Sequence, residues 1–135
     1  MEAKYLVTGG AGFIGSNIVE GLLKNRESVR IIDNLSTGNI HNLDNFCSEI
    51  EFIEGDIRDL STLQKAMNGI EFVFHQAALP SVPRSIENPV AANDSNISGT
   101  LNVLLVARDN KVKRVIYAGS SSAYGDTPTL PKQED

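Results

Sequence analysis

The chain has 135 residues, of which 41% are apolar, and it carries a formal net charge of −5 at pH 7. This length and apolar content suit one compact domain with a buried core. The Lys and Arg residues are scattered and form no basic run. Neither nucleic acid nor an anionic membrane surface is therefore an expected partner.

The ends of the sequence and its cysteine content bear on location. Met1 is followed almost at once by the first predicted strand, and no apolar run approaches the length that spans a bilayer. We therefore expect a cytoplasmic protein. Cys47 is the only cysteine, which excludes an internal disulfide and a thiolate metal cluster, and we expect it in a loop or at a helix edge.

A glycine-rich stretch near the amino terminus separates an apolar run at residues 5–7 from a helical pattern that begins at Phe13. Gly9, Gly12 and Gly15 would let the anionic pyrophosphate of a dinucleotide approach backbone N–H groups at the positive end of the helix dipole. In such a site Gly9 takes the tight turn, Gly12 admits the pyrophosphate and Gly15 lets the helix pack closely on its strand.

The second predicted strand, residues 29–32, ends on Asp33. An acid at this position of a dinucleotide fold accepts hydrogen bonds from the adenosine ribose hydroxyls. Its charge also repels the extra phosphate of NADP, so NAD is the favoured cofactor. The alternative is that Asp33 caps the turn that follows it.

Two polar loops follow the second and third strands. Residues 34–38 suit the adenosine end of a cofactor or form a simple turn. A third strand over residues 50–53 leads to Asp56 and Ile57, before a helix over residues 60–67. Ligands bind at the carboxyl ends of strands in open α/β sheets, so these two residues predict an adenine contact, and loop capping is an equal alternative.

A fourth strand near residues 70–74 leads into His75 and the small residues Ala77 and Ala78. The two alanines would let the nicotinamide half of a cofactor lie against the backbone. His75 has no acidic, His or Cys partner nearby in sequence. We therefore predict a structural role for it rather than metal binding.

A long helix and a fifth strand complete the pattern. One helix is predicted from about Ile86 or Glu87 to Asp109, and its second half is apolar around so much of its surface that another element should cover it. A fifth strand over residues 114–118 leads to three serines with no nearby histidine, which argues against a hydrolase triad. The alternation predicts an α/β fold with a doubly wound parallel sheet over residues 1–125, followed by a polar tail at 126–135.

Six stretches in this order resemble the extended short-chain dehydrogenase/reductases, and within them the NAD-dependent nucleotide-sugar 4-epimerases. The likeness spans the whole chain and implies a Rossmann-like sheet of about five strands, cut before the sixth strand and before a sugar-nucleotide domain. It is carried by TGGAGFIG at 8–15, DNLSTG at 33–38, GDIRD at 55–59, HQAA at 75–78, NISGTLN at 96–102 and SSSAYG at 120–125.

The resemblance also implies which residues hold NAD. Pro80 departs from the small or basic residue often found at its position, which bears on the detail of the nicotinamide or substrate contact there. The implied cofactor residues are Gly9, Gly12, Phe13, Ile14, Gly15, Asp33, Asn34, Leu35, Ser36, Thr37, Gly38, Asp56, Ile57, Gln76, Ala77, Ala78, Leu79, Pro80 and Asn96.

A sugar site is implied in the same way. In enzymes of this family NAD oxidises the 4-hydroxyl of the sugar and then returns hydride to the opposite face. Ser120 would be the catalytic hydroxyl, whereas Ser81, Ser121 and Ser122 would bind the substrate, a nucleotide sugar of the UDP-linked kind. Related dehydratases carry Asp and Glu at the positions of Ser121 and Ser122, so the serines favour an epimerase.

The catalytic Tyr-x-x-x-Lys motif of the family is missing from these 135 residues, since no tyrosine is followed by lysine four positions later. The family would place it shortly beyond Asp135. The chain is then either the cofactor part of an epimerase, or a short protein that binds NAD or a nucleotide sugar without turnover or borrows the tyrosine from a partner. In both cases the fifth-strand edge and the long helix would be exposed, which predicts a homodimer.

Overall fold

A computed structural model describes residues 3–126, 128 and 131, and within them strands and helices alternate. The neighbouring strands are all parallel, in the order β3-β2-β1-β4-β5. The predicted α/β class is therefore confirmed, while most of the predicted tail at 126–135 lies outside the described residues. The strands are β1 (Tyr5–Thr8), β2 (Val29–Asp33), β3 (Ile50–Glu54), β4 (Phe72–His75) and β5 (Arg114–Tyr117).

Within the described residues, five α-helices and two other helical segments connect the strands, and a further helical turn follows β5. A 3₁₀ helix spans Ile40–Phe46, a π-helical turn spans Asp94–Ser98, and a 3₁₀ turn spans Ser121–Tyr124. The α-helices are α1 (Phe13–Lys24), α2 (Leu60–Met67), α3 (Val82–Glu87), α4 (Pro89–Asn93) and α5 (Gly99–Asp109).

The start predicted for the long helix, at Ile86 or Glu87, is wrong. The chain breaks at Asn88, whose φ of −137° and ψ of 77° are not helical. A residue before proline is driven out of the α region, so Pro89 ends α3 and begins α4. From there α4, the π-helical turn and α5 follow one another directly as far as Asp109.

The core lies on both faces of the sheet, because successive residues of a strand point to opposite sides. Leu6 and Ile32 pack on one face with residues of α2 and α5. Val7 and Ile31 pack on the other face with Val19 of α1. Helices therefore cover both sides of the sheet, as the predicted doubly wound arrangement requires.

The single cysteine lies at the surface. Cys47 follows the 3₁₀ helix Ile40–Phe46 and is exposed, as expected for a helix-edge position. Among the helices that the structure describes, none has the length and hydropathy needed to cross a bilayer.

Two glycines, Gly9 in the loop before α1 and Gly15 in the first turn of α1, are required by close approach of backbone. Gly9 has a φ of +69°, and a Cβ there would lie 2.7 Å from the backbone nitrogen of Ala77. A Cβ on Gly15 would overlap the carbonyl oxygen of Gly9 and lie 2.8 Å from the Cα of Gly10. Gly15 thus lets α1 pack on the glycine loop itself, rather than mainly on β1.

Substitution of two glycines of α1 by alanine is expected to change stability in opposite directions. A Cβ on Gly21 would have no neighbouring atom within 4 Å, so Gly21→Ala gains helix propensity and stabilises by about 0.5–1 kcal/mol. Gly15→Ala gains the same helix propensity, but its Cβ would overlap rigid backbone of the glycine loop. We therefore expect the free energy of unfolding to fall by about 1–3 kcal/mol. Urea unfolding measures both, and equal stabilisation by the two variants would contradict the packing described.

Candidate functional site

A cleft of about 340 Å³ lies at the carboxyl edge of the sheet, lined by the loops that follow β1, β2, β3 and β4. The strand order reverses between β1 and β4, and such a switch point is where open α/β sheets bind ligands. Every residue predicted to hold the cofactor lines this cleft except Leu35 and Asn96. Ile32, Gly55 and Ser95 also line it and were not predicted.

The amino terminus of α1 faces the cleft without a side-chain cap. Gly12 is the N-cap residue and makes no side-chain hydrogen bond, and the first turn contains no acidic residue. Unpaired N–H groups of a first helical turn attract anions. Phe13 and Ile14 are 83% and 60% exposed and line the cleft, as the family resemblance implies for cofactor residues.

Asp33 is buried at the end of β2 and binds two backbone N–H groups. Its Oδ2 accepts from Ala11 N at 2.9 Å, and its Oδ1 accepts from Leu35 N at 2.8 Å. The second bond is the turn cap that the sequence analysis gave as the alternative to a contact with the adenosine ribose. Leu35 has a φ of +56° and packs its side chain on the core, so it does not line the cleft.

The glycine loop is also held from the connection between β2 and β3. The carbonyl oxygen of Ala11 accepts from the backbone nitrogen of Asn39 at 3.0 Å and from Nδ2 of Asn42 at 2.8 Å. Both peptide groups of Ala11 are therefore fixed by residues far along the chain. This arrangement orders the loop before any ligand binds.

The carboxylate of Asp56 accepts four hydrogen bonds just after the end of β3. Its Oδ1 accepts from the backbone nitrogen and Nε of Arg58, and its Oδ2 accepts from Nη2 of Arg58 and Nδ2 of Asn34. These bonds, with Arg58 as the main contributor, hold the pKa of the Asp56 carboxyl well below its ordinary value. The geometry is the loop cap that the sequence left as an alternative to an adenine contact.

The wall formed by residues 76–80 is fixed at two points. Near its start, the backbone nitrogen of Ala77 donates to Oγ1 of Thr8 at 3.1 Å. Near its end, Leu79 donates its N–H to Oδ1 of Asn96 at 2.7 Å and accepts from Nδ2 of Asn96 at 3.1 Å. Asn96 thus lies behind the wall and supports it, and the neighbouring Ser95 is the residue that lines the cleft.

His75 is buried behind the same wall, with 2% of its surface exposed. Its Nδ1 lies 2.7 Å from Oγ1 of Thr8, and its Nε2 lies 2.9 Å from Oγ1 of Thr100. Burial lowers the pKa of His75 to about 4, so the imidazole is neutral at pH 7. These contacts agree with the predicted structural role.

Helix α5 supports the cleft at a second place. A Cβ on Gly99 would lie 2.6 Å from Cδ1 of Ile57, and Nδ2 of Asn102 donates to the carbonyl oxygen of Ile57 at 3.3 Å. The continuous helix from α4 to α5 therefore contacts the loops after both β3 and β4. The contact between α5 and the loop after β3 was not predicted from the sequence, because the apolar residues of the helix indicate only which of its faces pack on other elements.

Among the described side chains of the predicted sugar site, those of Ser81 and Ser120 do not line the cleft. Ser81 is exposed, has a φ of +131° and caps α3 by accepting from the backbone nitrogen of Arg84. Ser120 is exposed beyond β5, and its carbonyl oxygen accepts from the backbone nitrogen of Ala123. The side chains of Ser121 and Ser122 lie outside the described part of the structure.

Comparison with known proteins defines the class. Residues 5–135 match the NAD dependent epimerase/dehydratase family, and the chain belongs to that family. The UDP-glucose 4-epimerase of Neisseria meningitidis serogroup C is 39% identical over 138 residues, an alignment that covers 98% of this chain and 41% of that protein. The chain thus spans about two fifths of the length of such relatives.

Solved structures agree with the family and with the fold. A UDP-N-acetylglucosamine 4-epimerase from Methanobrevibacter ruminantium M1, in complex with UDP-N-acetylmuramic acid, is 40% identical with a TM-score of 0.88 over 99% of this chain and 43% of that chain. The UDP-glucose 4-epimerase of Thermus thermophilus, in complex with NAD, is 37% identical with a TM-score of 0.87 over 98% of this chain and 42% of that chain.

We expect the free energy of unfolding to fall as pH is lowered from 7 to 4, because of His75. Its pKa is about 4 when folded and near 6.5 when unfolded, so the unfolded chain binds more protons in this window. The difference corresponds to about 3 kcal/mol, present above pH 6.5 and lost toward pH 4. Urea unfolding at several pH values measures this.

A non-titrating variant at the same position isolates the contribution of His75. His75→Asn should flatten the pH slope of the parent between pH 7 and 4. Comparing the variant with the parent removes the contribution of carboxylates such as Asp56, which acts in the same direction at lower pH. An unchanged slope in His75→Asn would contradict the assignment.

Proposed function

We propose that the chain is the NAD-binding part of a 4-epimerase that acts on UDP-linked sugars. The observation that carries this proposal is the cleft at the switch point, which combines an uncapped helix terminus, three glycines and a buried acid at the end of β2. Relatives of this chain include UDP-glucose 4-epimerases that extend well beyond its length.

The chain offers groups that fit each part of the cofactor. The first turn of α1 and Gly12 would take the pyrophosphate, because no side chain or acidic group competes there. Asp33 has acceptor capacity left on both oxygens and would take the adenosine ribose. The small residues Ala77 and Ala78 would leave room for the nicotinamide. Bound NAD would supply reversible hydride transfer at C4 of the sugar.

Ser120 would act on the sugar by hydrogen bonding its 4-hydroxyl, with Ser81, Ser121 and Ser122 as further substrate contacts. The roles of Ser120, Ser121 and Ser122 rest on the resemblance of residues 120–125 to the family motif, and that of Ser81 rests on the resemblance of residues 81–85 to epimerases of UDP-hexoses. A Tyr-x-x-x-Lys pair would have to come from residues outside these 135, because a phenol with a pKa of about 10 is a poor base at neutral pH without a neighbouring lysine. A cytoplasmic location also stays a prediction from the sequence.

Calorimetric titration of the chain with NAD tests the proposal. The parent should bind NAD, and Asp33→Ala should weaken binding by about 1.5–3 kcal/mol, because a charged hydrogen-bond acceptor is lost. Asp44→Ala is the matched control, since Asp44 is exposed on the 3₁₀ helix and does not line the cleft. Failure of the parent to bind NAD would refute the proposal.

Titration with NADP separates two roles of Asp33. If the carboxylate contacts the ribose, Asp33→Ala should weaken NAD but weaken NADP less, because repulsion of the extra phosphate disappears. If Asp33 acts only by holding Ala11 and Leu35, both cofactors should weaken equally. An assay on UDP-glucose and UDP-N-acetylglucosamine then distinguishes an epimerase part from a protein that binds NAD without turnover.

We also infer that the exposed apolar surface of the continuous helix from α4 to α5 forms a homodimer interface. Ile97, Leu101 and Leu104 are 64%, 55% and 48% exposed at helical spacing, and β5 is the last strand of the sheet. Contiguous exposed apolar surface of this kind marks an interaction site. The homodimer would form through this helix or along the edge of β5.

Light scattering at micromolar concentration should therefore show a dimer of the chain. Leu101→Glu should shift it to a monomer, because a charge on the apolar surface must be desolvated on association. Lys24→Glu, on the exposed end of α1, is the control and should leave the dimer intact. A monomeric parent would refute the interface.

A further inference from the structure

We propose that His75 is a positioning residue for the wall of the cleft formed by residues 76–80, acting as a neutral imidazole with its proton on Nε2. It joins the hydroxyl of Thr8 on β1 to the hydroxyl of Thr100 on α5. The inference about the wall stands on hydrogen bonds within the chain. Its consequence for cofactor binding rests on the proposed function.

The hydroxyl of Thr100 determines which imidazole nitrogen carries the proton. Its Oγ1 lies 2.8 Å from the backbone carbonyl oxygen of Asn96, which can only accept a hydrogen bond. The single hydroxyl proton of Thr100 is used there. The contact of 2.9 Å to His75 therefore needs a proton on Nε2, with Thr100 as the acceptor.

The hydroxyl of Thr8 is compatible with the same tautomer. Its Oγ1 accepts from the backbone nitrogen of Ala77 at 3.1 Å, and its own proton remains available. Nδ1 of His75 lies 2.7 Å away and can accept that proton when Nε2 is the protonated nitrogen. One tautomer thus satisfies both ends of the network, and Thr100 determines which one it is.

The network connects the two anchor points of the wall. On one side it runs from Ala77 N–H through Thr8 to His75, and on the other from His75 through Thr100 to the backbone of Asn96. The side chain of Asn96 then makes two hydrogen bonds with the backbone of Leu79. Loss of one hydroxyl should therefore loosen both ends of a wall that lines the cleft.

Burial protects this arrangement from protonation at neutral pH. A second proton on His75 would remove the acceptor of the Thr8 proton. Among the described residues, the titratable group that faces the ring is the phenol of Tyr117, whose ring centroid lies 6.0 Å away in a stacked arrangement. Burial among apolar residues lowers the pKa of His75.

Nitrogen-15 NMR of the chain tests the tautomer directly. At pH 7 the His75 ring should show a protonated Nε2 and an unprotonated Nδ1. Thr100→Val removes the acceptor with little change in shape, so the ring should lose its tautomer preference. In that variant the amides of Ala77 and Leu79 should exchange with solvent at least 10-fold faster. Thr100→Ser restores the hydroxyl and should restore slow exchange.

Val103→Ala is the control for simple loss of stability. Val103 lies one turn along α5, is fully buried in the core and belongs to none of these hydrogen bonds. At equal loss of stability, Thr100→Val should raise the Kd for NAD at least 10-fold and Val103→Ala less than 2-fold.

The outcomes separate the two proposals. A proton on Nδ1 in the parent, or slow amide exchange retained in Thr100→Val, would overturn the role of His75. Faster amide exchange with unchanged NAD affinity would overturn the consequence for cofactor binding. If the parent binds no NAD, the proposed function fails. The tautomer and the amide exchange still decide whether His75 positions the wall.

Discussion

The parallel pairing of β1 with β4 is the constraint on which the cleft depends. Thr8 pairs with His75 at the last position of the ladder, and the chain leaves both strands at the same edge. The chain continues from β1 to β2 on one side and from β4 to β5 on the other, so a gap opens between the loop after β1 and the loop after β4. Gly9 and Ala77 meet across the base of that gap, which only a residue without Cβ permits.

Hydrogen bonds from side chains to backbone then shape the cleft. Asp33 holds Ala11 and Leu35, Asp56 closes the loop after β3, and Asn96 holds Leu79. Because most of these acceptors are charged or buried, each bond contributes more than a surface contact would. The loops of a binding site, commonly the least ordered part of a fold, are here fixed by the elements around them.

Much of this could be predicted from the sequence, because the strands and the glycine loop carry local patterns. The apolar runs predict all five strands, and the spacing from Gly9 to Asp33 predicts the cleft. The break at Asn88 was missed because the helical pattern of apolar residues continues across it. The role of Asn96 was missed for another reason: its partner Leu79 lies 17 residues away in the chain, and no local pattern reports such a contact.

The exposed position of Cys47 has a practical consequence. It is the only thiol in the chain and follows the 3₁₀ helix from which Asn42 reaches the carbonyl oxygen of Ala11. A thiol-reactive fluorophore would attach at this one point without any substitution. Its emission would report on the segment that holds the glycine loop, while the cleft itself stays free of label.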